Sequence, residues 1–252
     1  MKAIITDLDR TLLRNDKSLS PYTVRVLNAC RAQGILLMAA SARPLRGILP
    51  FCELIPFDAI TASNGALIQL PDVSRLEHAI PPDSGEKILS RLLQFDDVFL
   101  SMETSGGLYS NRDIPEWQPV VYRDFPRIPS HVRLYKILAS GHDPRLYARI
   151  QSVLTDDVYH TLAGDSLLQI MSRQATKALG VQQMLRHFNI PLQQTVYFGD
   201  DNDDLEPLRL CGMGVAVENA IPAVRAAATH LASSNECDGV ARFIENHILF
   251  KH

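Results

Sequence analysis

Asp7 and Asp9, two residues apart in Asp7-Leu8-Asp9-Arg10-Thr11-Leu12, have the types and spacing to do chemistry together. In an extended or just-looping backbone, residues two apart project to the same side. The apolar run Ala3-Ile4-Ile5 just before them reads as a buried strand. Both carboxylates would then leave its carboxyl end, where open α/β sheets bind ligands. Carboxylates that close repel unless a cation or a proton intervenes. Such a pair suits a metal plus a nucleophile, or an acid and base sharing a proton, while the plain alternative is the start of a turn. A second apolar run, Val196-Tyr197-Phe198, ends in Gly199-Asp200-Asp201-Asn202-Asp203-Asp204. Crowding these carboxylates costs roughly a kcal/mol per close exposed pair. A helix cap uses one or two acids. An oxygen-rich cluster of this density suits Mg²⁺.

Two further groups fit the same place. Ser41 follows the apolar Met38-Ala39-Ala40 and offers a hydroxyl and a backbone amide to an anion, with Arg43 and Pro44 next. Lys177 opens a helix, where a cation is poorly matched to the dipole unless an anion lies nearby. Each alone reads as an ordinary surface side chain; their order along the chain gives them weight.

The elements that must position these residues alternate. After the first strand, Ser20-Pro21 starts a helix running to about Gln33, with Gly34 as its left-handed stop. Strands follow at Ile35–Ala40 and Asp58–Ala62, which implies a parallel sheet with both faces covered. Near Pro81-Pro82 the texture changes. A helix over Ser84–Phe95 leads to a hairpin of Val98–Glu103 and Leu108–Ser110 around Gly106-Gly107. Pro115–Pro129 has no period, and then come a strand at Val132–Ala139, a helix at Pro144–Leu154 and two short strands around Gly164-Asp165. From Thr176 the alternation returns, with a helix to about Phe188, a strand at Thr195–Phe198 and two more strand and helix pairs. Residues 82–174 therefore read as an α+β insertion in a split α/β core of 1–81 and 175–252.

The 252 residues, 46% hydrophobic and 21% charged, describe an ordinary globular chain able to bury a core. A net charge of -3, spread along the sequence, offers no footprint for nucleic acid or an anionic membrane. The first apolar run is too short for a signal peptide, and nothing later approaches a membrane span. The four cysteines form no C-x-x-C pair and read as small hydrophobes in a reducing compartment, so a cytoplasmic location is expected.

The order of these groups resembles the four motifs of the haloacid dehalogenase superfamily. Asp7-Leu8-Asp9-Arg10-Thr11 is similar to its D-x-D-x-T motif and Ser41-Ala42-Arg43 to a second motif often written T-G-R. Lys177 matches the third, and Gly199-Asp200 with Asp203-Asp204 the fourth, G-D-x-x-N-D. Ser63-Asn64-Gly65-Ala66, the segment Asn235–Ala241 and the size of the insertion resemble the Cof-like phosphatases, which carry a large α/β cap. Arg10 stands where that branch often has Gly, Ala42 replaces Gly, and Asp203 replaces Asn.

The resemblance implies a Rossmann-like core with an inserted α+β cap and a Mg²⁺-dependent phosphatase acting on a small phosphorylated metabolite, most often a sugar phosphate. Asp7 would be the nucleophile, and Asp9, held protonated, the acid and then the base. Ser41 and Lys177 would hold phosphate oxygens, with Lys177 also keeping Asp7 ionised. Asp7, Asp9 (through its carbonyl) and Asp200 would bind Mg²⁺, supported by Asp204 and Asp203. Thr11, Arg43, Asn64 and Gly65 would line the substrate side. Cap specificity would come from the Gly106–Arg112 hairpin or the Gly164–Leu168 turn, with Tyr109, Arg112, Trp117 and Tyr122 as candidates, although packing is the favoured role for Trp117 and Tyr122. A phosphosugar mutase and a non-catalytic phosphometabolite-binding protein are the alternatives.

Overall fold

The computed structural model describes residues 1–72, 74–95, 98–115, 119–121, 131–141, 146–163 and 167–249. The chain divides into two compact units, Met1–Glu77 with Thr176–His252, and His78–Ala175.

In the first unit the chain runs β1 (Ala3–Thr6), α1 (Pro21–Ala32), β2 (Leu36–Ala40), α2 (Leu49–Cys52), β3 (Ala59–Ala62), β4 (Leu67–Gln69) and β5 (Arg75–Glu77). Every residue of β1 is buried, as expected of a strand inside a parallel sheet covered on both faces. Ser20 caps α1 by accepting the Thr23 N–H, and Pro21 follows with its φ already helical. Gly34, at φ 77, follows the helix end.

The second unit contributes α3 (Pro82–Leu92), β6 (Phe99–Thr104), β7 (Gly107–Ser110), β8 (Val120–Val121), β9 (Leu134–Ser140), α4 (Leu146–Gln151), β10 (Val158–Ala163) and β11 (Leu167–Ser172). Its six strands lie in the order β10-β11-β9-β6-β7-β8, antiparallel apart from the β7/β8 pair. One face of this sheet is apolar by alternation: Leu100, Met102, Ile137, Ala139, Leu168 and Ile170 pack with Ile88, Leu89 and Leu92 of α3 and Ile150 of α4. Tyr109 packs against this same core, which is a structural duty for a residue expected to meet substrate. Trp117, Tyr122 and Gly164 lie outside the described residues.

The chain then completes the first unit with α5 (Lys177–His187), β12 (Thr195–Gly199), α6 (Leu205–Leu210), β13 (Met213–Val217), α7 (Pro222–Ala227), β14 (His230–Ala232) and α8 (Gly239–Ile244). Its sheet has eight strands in the order β14-β13-β12-β1-β2-β3-β4-β5. The run from β14 to β3 is parallel, and β4 and β5 add antiparallel strands at one edge. The α/β core with an inserted α+β unit is thus the architecture observed. Ile4, Ile5, Leu37, Met38, Tyr197 and Phe198 are fully buried in the central strands. Each large apolar side chain so buried contributes about 1.5–3 kcal/mol. That rigidity holds the carboxyl ends of β1, β2, β3 and β12 side by side.

Candidate active site

Lys177 is the centre of the site. Thr176 caps α5 by accepting the Leu179 N–H, which sets Lys177 as the first helical residue. Its ammonium is buried and reaches three carboxylates: Asp7 Oδ1 at 3.0 Å, Asp203 Oδ1 at 3.2 Å and Asp204 Oδ1 at 2.8 Å. The cation at a helix N-terminus that looked misplaced in the sequence is explained by these three anions.

Asp204 is a fully occupied acceptor. Its Oδ1 also takes the Tyr197 hydroxyl at 2.6 Å, and its Oδ2 takes the backbone N–H groups of Asp200 at 2.9 Å and Asp201 at 3.1 Å. It braces Lys177 and the loop after β12 at once. Asp203 is held on its other oxygen by Asn64 Nδ2 at 2.7 Å. Asp200 Oδ1 accepts the Thr11 hydroxyl at 2.8 Å. Asp7 Oδ2 and Asp200 Oδ2 accept no hydrogen bond among the described residues.

Charge in this group is unbalanced. Asp7, Asp200, Asp203 and Asp204 share one buried ammonium. Burial, reinforced by the charges of Asp204, Asp203 and Asp200, holds the Asp7 carboxyl well above the usual range despite Lys177. Burial and Asp204 push Asp200 up to about 6, against the Thr11 hydrogen bond. Lys177 does favour the ionised Asp7, as the resemblance implies, but burial outweighs it. Oxygens of Asp7, Asp200 and Asp204 lie within 4.8 Å of one another. A hard divalent cation fits this donor set: all-oxygen, buried and short of positive charge.

Asp9 leaves the same strand end but finds different company. Arg43 grips it with two hydrogen bonds, Nε to Oδ2 at 2.5 Å and a terminal nitrogen to Oδ1 at 2.7 Å, and Lys17 Nζ sits 2.7 Å from Oδ1. These partners outweigh partial burial and hold the carboxyl below its usual range. The family resemblance implies a protonated Asp9; its surroundings here favour the charged form.

The remaining expected residues are all at these strand ends, each engaged with a neighbour. Ser41, buried, accepts the Arg43 N–H on its Oγ at 3.1 Å, and its carbonyl accepts the Asn64 N–H. Thr11 holds Asp200, Arg43 holds Asp9, and Asn64 holds Asp203. Gly65 works through close packing: it has φ 101, and a Cβ there would lie 2.2 Å from the Thr176 carbonyl oxygen. Gly65→Ala should therefore destabilise by about 2 kcal/mol or more in urea unfolding. It should also depress turnover by displacing Thr176 and with it Lys177. Wild-type unfolding with wild-type turnover would refute this role. Two partners had no signal in the sequence. Lys17 lies in a loop with no period, and Tyr197 looked like one more apolar residue of a buried strand.

The sequence matches the haloacid dehalogenase-like hydrolase family over residues 4–244. The chain belongs to that family. Among relatives, a 5-amino-6-(5-phospho-D-ribitylamino)uracil phosphatase of Bacillus subtilis is 24% identical, with 97% of this chain and 96% of that one covered. An HMP-PP phosphatase of Cronobacter sakazakii is also 24% identical, over 98% of this chain and 95% of that one. A crystal structure of a haloacid dehalogenase-like hydrolase from Bacteroides thetaiotaomicron shares the fold with a TM-score of 0.87, 23% identity and coverage of 97% and 98%. This haloacid dehalogenase-like hydrolase is accordingly a phosphatase. Among its described residues, no helix is long and apolar enough to cross a membrane.

Proposed function

We propose that the enzyme hydrolyses the phosphomonoester of a small phosphorylated metabolite, with Asp7 as a nucleophile that is transiently phosphorylated and Mg²⁺ as cofactor. The observation that carries this reading is the buried Lys177 ammonium joining Asp7 to Asp203 and Asp204 at the ends of β1 and β12. A pure binding site has no need of a buried carboxylate with one oxygen anchored on a cation and the other open.

Asp7 Oδ1 is anchored by Lys177, so Oδ2 is the oxygen that would attack phosphorus. A P–O bond forms to Asp7 as the ester P–O bond breaks, and the leaving oxygen takes a proton from Asp9. Asp9, now a carboxylate, then removes a proton from the water that attacks the acyl phosphate. The Arg43 and Lys17 contacts support the charged form used in this second half; the donating form requires Asp9 to take up a proton first. Ser41 and Lys177 would hold phosphate oxygens. Asp7, the Asp9 carbonyl and Asp200 would hold Mg²⁺, with Asp204 and Asp203 bracing them. When bound, the ion would offset the repulsion between an anionic nucleophile and an anionic phosphate.

The substrate is read as a small metabolite, a sugar phosphate first among them, with no role for nucleic acid or a membrane. A cytoplasmic location is supported by four free cysteines, two of them, Cys30 and Cys211, buried. The test is phosphate release from a panel of phosphorylated metabolites, with Mg²⁺ or with a chelator. Release that needs Mg²⁺ is expected. A folded protein that binds Mg²⁺ yet releases phosphate from no compound would sink the reading.

Metal linkage gives a pH prediction. Asp200 binds its proton more tightly folded, at about 6, than in an unfolded chain, at about 3.9. Between those values the metal-free protein loses stability as pH rises, and above about 6 the penalty is complete. Mg²⁺ needs the carboxylate form, so it should raise Tm more at about pH 7.5 than at about pH 5. Equal shifts in melts with Mg²⁺ and with chelator at both values would contradict this.

A further inference from the structure

Arg10 is the residue at the site that the proposed chemistry leaves without a task. Its backbone is left-handed, at φ 59, a conformation that Gly adopts freely and that costs other residues of order 1 kcal/mol or more. The conformation is strapped from outside. Asn219 Nδ2 donates to the Arg10 carbonyl at 2.7 Å, and Asn219 Oδ1 is itself held by the Asn235 N–H at 3.0 Å. The side chain lies along the same support, one terminal nitrogen reaching the Asn219 carbonyl at 3.4 Å. This places Arg10 Nε 3.8 Å from Asp200 Oδ2, the oxygen that accepts no hydrogen bond among the described residues. Asp200 is 3% exposed and the arginine 53%, so a half-solvated fixed charge stands beside a buried acceptor.

We infer that Arg10 sets the affinity of the metal site, holding a positive charge against Asp200 that partly neutralises the carboxylate cluster and weakens Mg²⁺ binding. The inference rests on the proposed reading of Asp200 as a metal ligand. The physical basis is short. Asp7, Asp200, Asp203 and Asp204 carry more negative charge than Lys177 offsets, so an added monovalent cation relieves the metal-free site. A divalent cation entering at Asp200 then meets a like charge a few ångströms away. Because Arg10 is half exposed, salt screens part of this repulsion and the effect is moderate. The geometry of the guanidinium matters little for such a role; its charge matters, and so does the turn that presents it.

Three variants separate charge from backbone. Arg10→Gln removes the charge and keeps a side chain at the left-handed position. Arg10→Lys keeps both, and Arg10→Gly removes the charge and the strain together. Arg10 is half exposed and strained, so none of these changes endangers folding. Calorimetric titration with Mg²⁺ alone, in the absence of substrate, reads the affinity directly. Arg10→Gln and Arg10→Gly should bind Mg²⁺ about 3- to 10-fold more tightly than wild type, with the gap narrowing as salt is raised, and Arg10→Lys should match wild type. An unchanged Kd for Arg10→Gln overturns the inference, as does tightening confined to Arg10→Gly, which would assign the effect to backbone strain. Where wild type binds Mg²⁺ and releases phosphate with it, such a result leaves the phosphatase reading standing. A wild type that takes up no Mg²⁺ and releases phosphate equally well with chelator overturns the metal reading and this inference together.

Discussion

Asp7→Asn should lower phosphate release by at least about a thousandfold while leaving Tm unchanged or raised. The loss follows from chemistry: an amide oxygen is a poor nucleophile toward phosphorus, and Asp200, the neighbour with an uncommitted oxygen, is read as a metal ligand while the other carboxylates are held. Asp204 has both oxygens committed, Asp203 is held by Lys177 and Asn64, and Asp9 is held by Arg43 and Lys17. The stability result separates this account from a structural role. Burial first, and then the like charges around it, hold the Asp7 carboxyl high, so removing its charge relieves both costs. Lys177 keeps two partners at 3.2 and 2.8 Å, half-buried Asp203 and buried Asp204, so its own desolvation stays compensated. Phosphate release paired with thermal melts checks both halves. An inactive variant with a much lower Tm would point to misfolding rather than a missing nucleophile.

Lys177→Met should fail in both respects. The side chain is of similar length and the helix is undisturbed, yet buried Asp7 and Asp204 and half-buried Asp203 lose their common cation. Breaking a buried pair by removing one partner costs about 3–5 kcal/mol, and here several acceptors are left without compensation. Chemical unfolding should register a loss of that order in the metal-free protein. Raising Mg²⁺ should recover part of it, because a divalent ion supplies positive charge to the same carboxylate cluster. Activity should stay low even then, since nothing replaces the ammonium that orients Asp7. A variant as stable as wild type and with unchanged kcat/KM would remove Lys177 from the centre of the site.

Much of this was legible in the sequence because the catalytic groups sit where secondary structure ends. Asp7 and Asp200 follow continuous apolar runs, which are the signature of buried parallel strands, and Lys177 follows a capping threonine. The element order and the antiparallel hairpin of β6 and β7 came from turn residues and period. The antiparallel strands β4 and β5 were not anticipated: they are three residues each, too short to show alternation, and β5 is exposed. Partnerships were harder than positions. Lys17 lies eight residues beyond Asp9 in a loop, and only the folded path returns its ammonium to that carboxylate. The family resemblance implies a substrate-side role for Arg43, and its grip on Asp9 depends on side-chain geometry that spacing cannot supply. Tyr197 looked apolar by its neighbours, and its hydroxyl matters only because Asp204 lies beneath it. Protonation followed the same rule: the charge on Asp9 is favoured by two cations that only the fold brings to it.

The central claim is that Asp7 carries the phosphoryl group between substrate and water. Its most direct test is to quench the enzyme in mid-turnover with borohydride, which reduces an acyl phosphate to an alcohol, and to map the product by peptide mass spectrometry. The account predicts homoserine at position 7, formed only when substrate and Mg²⁺ are both present and never in Asp7→Asn. Reduction at another carboxylate, or none at all from enzyme that is releasing phosphate under the same conditions, would contradict it.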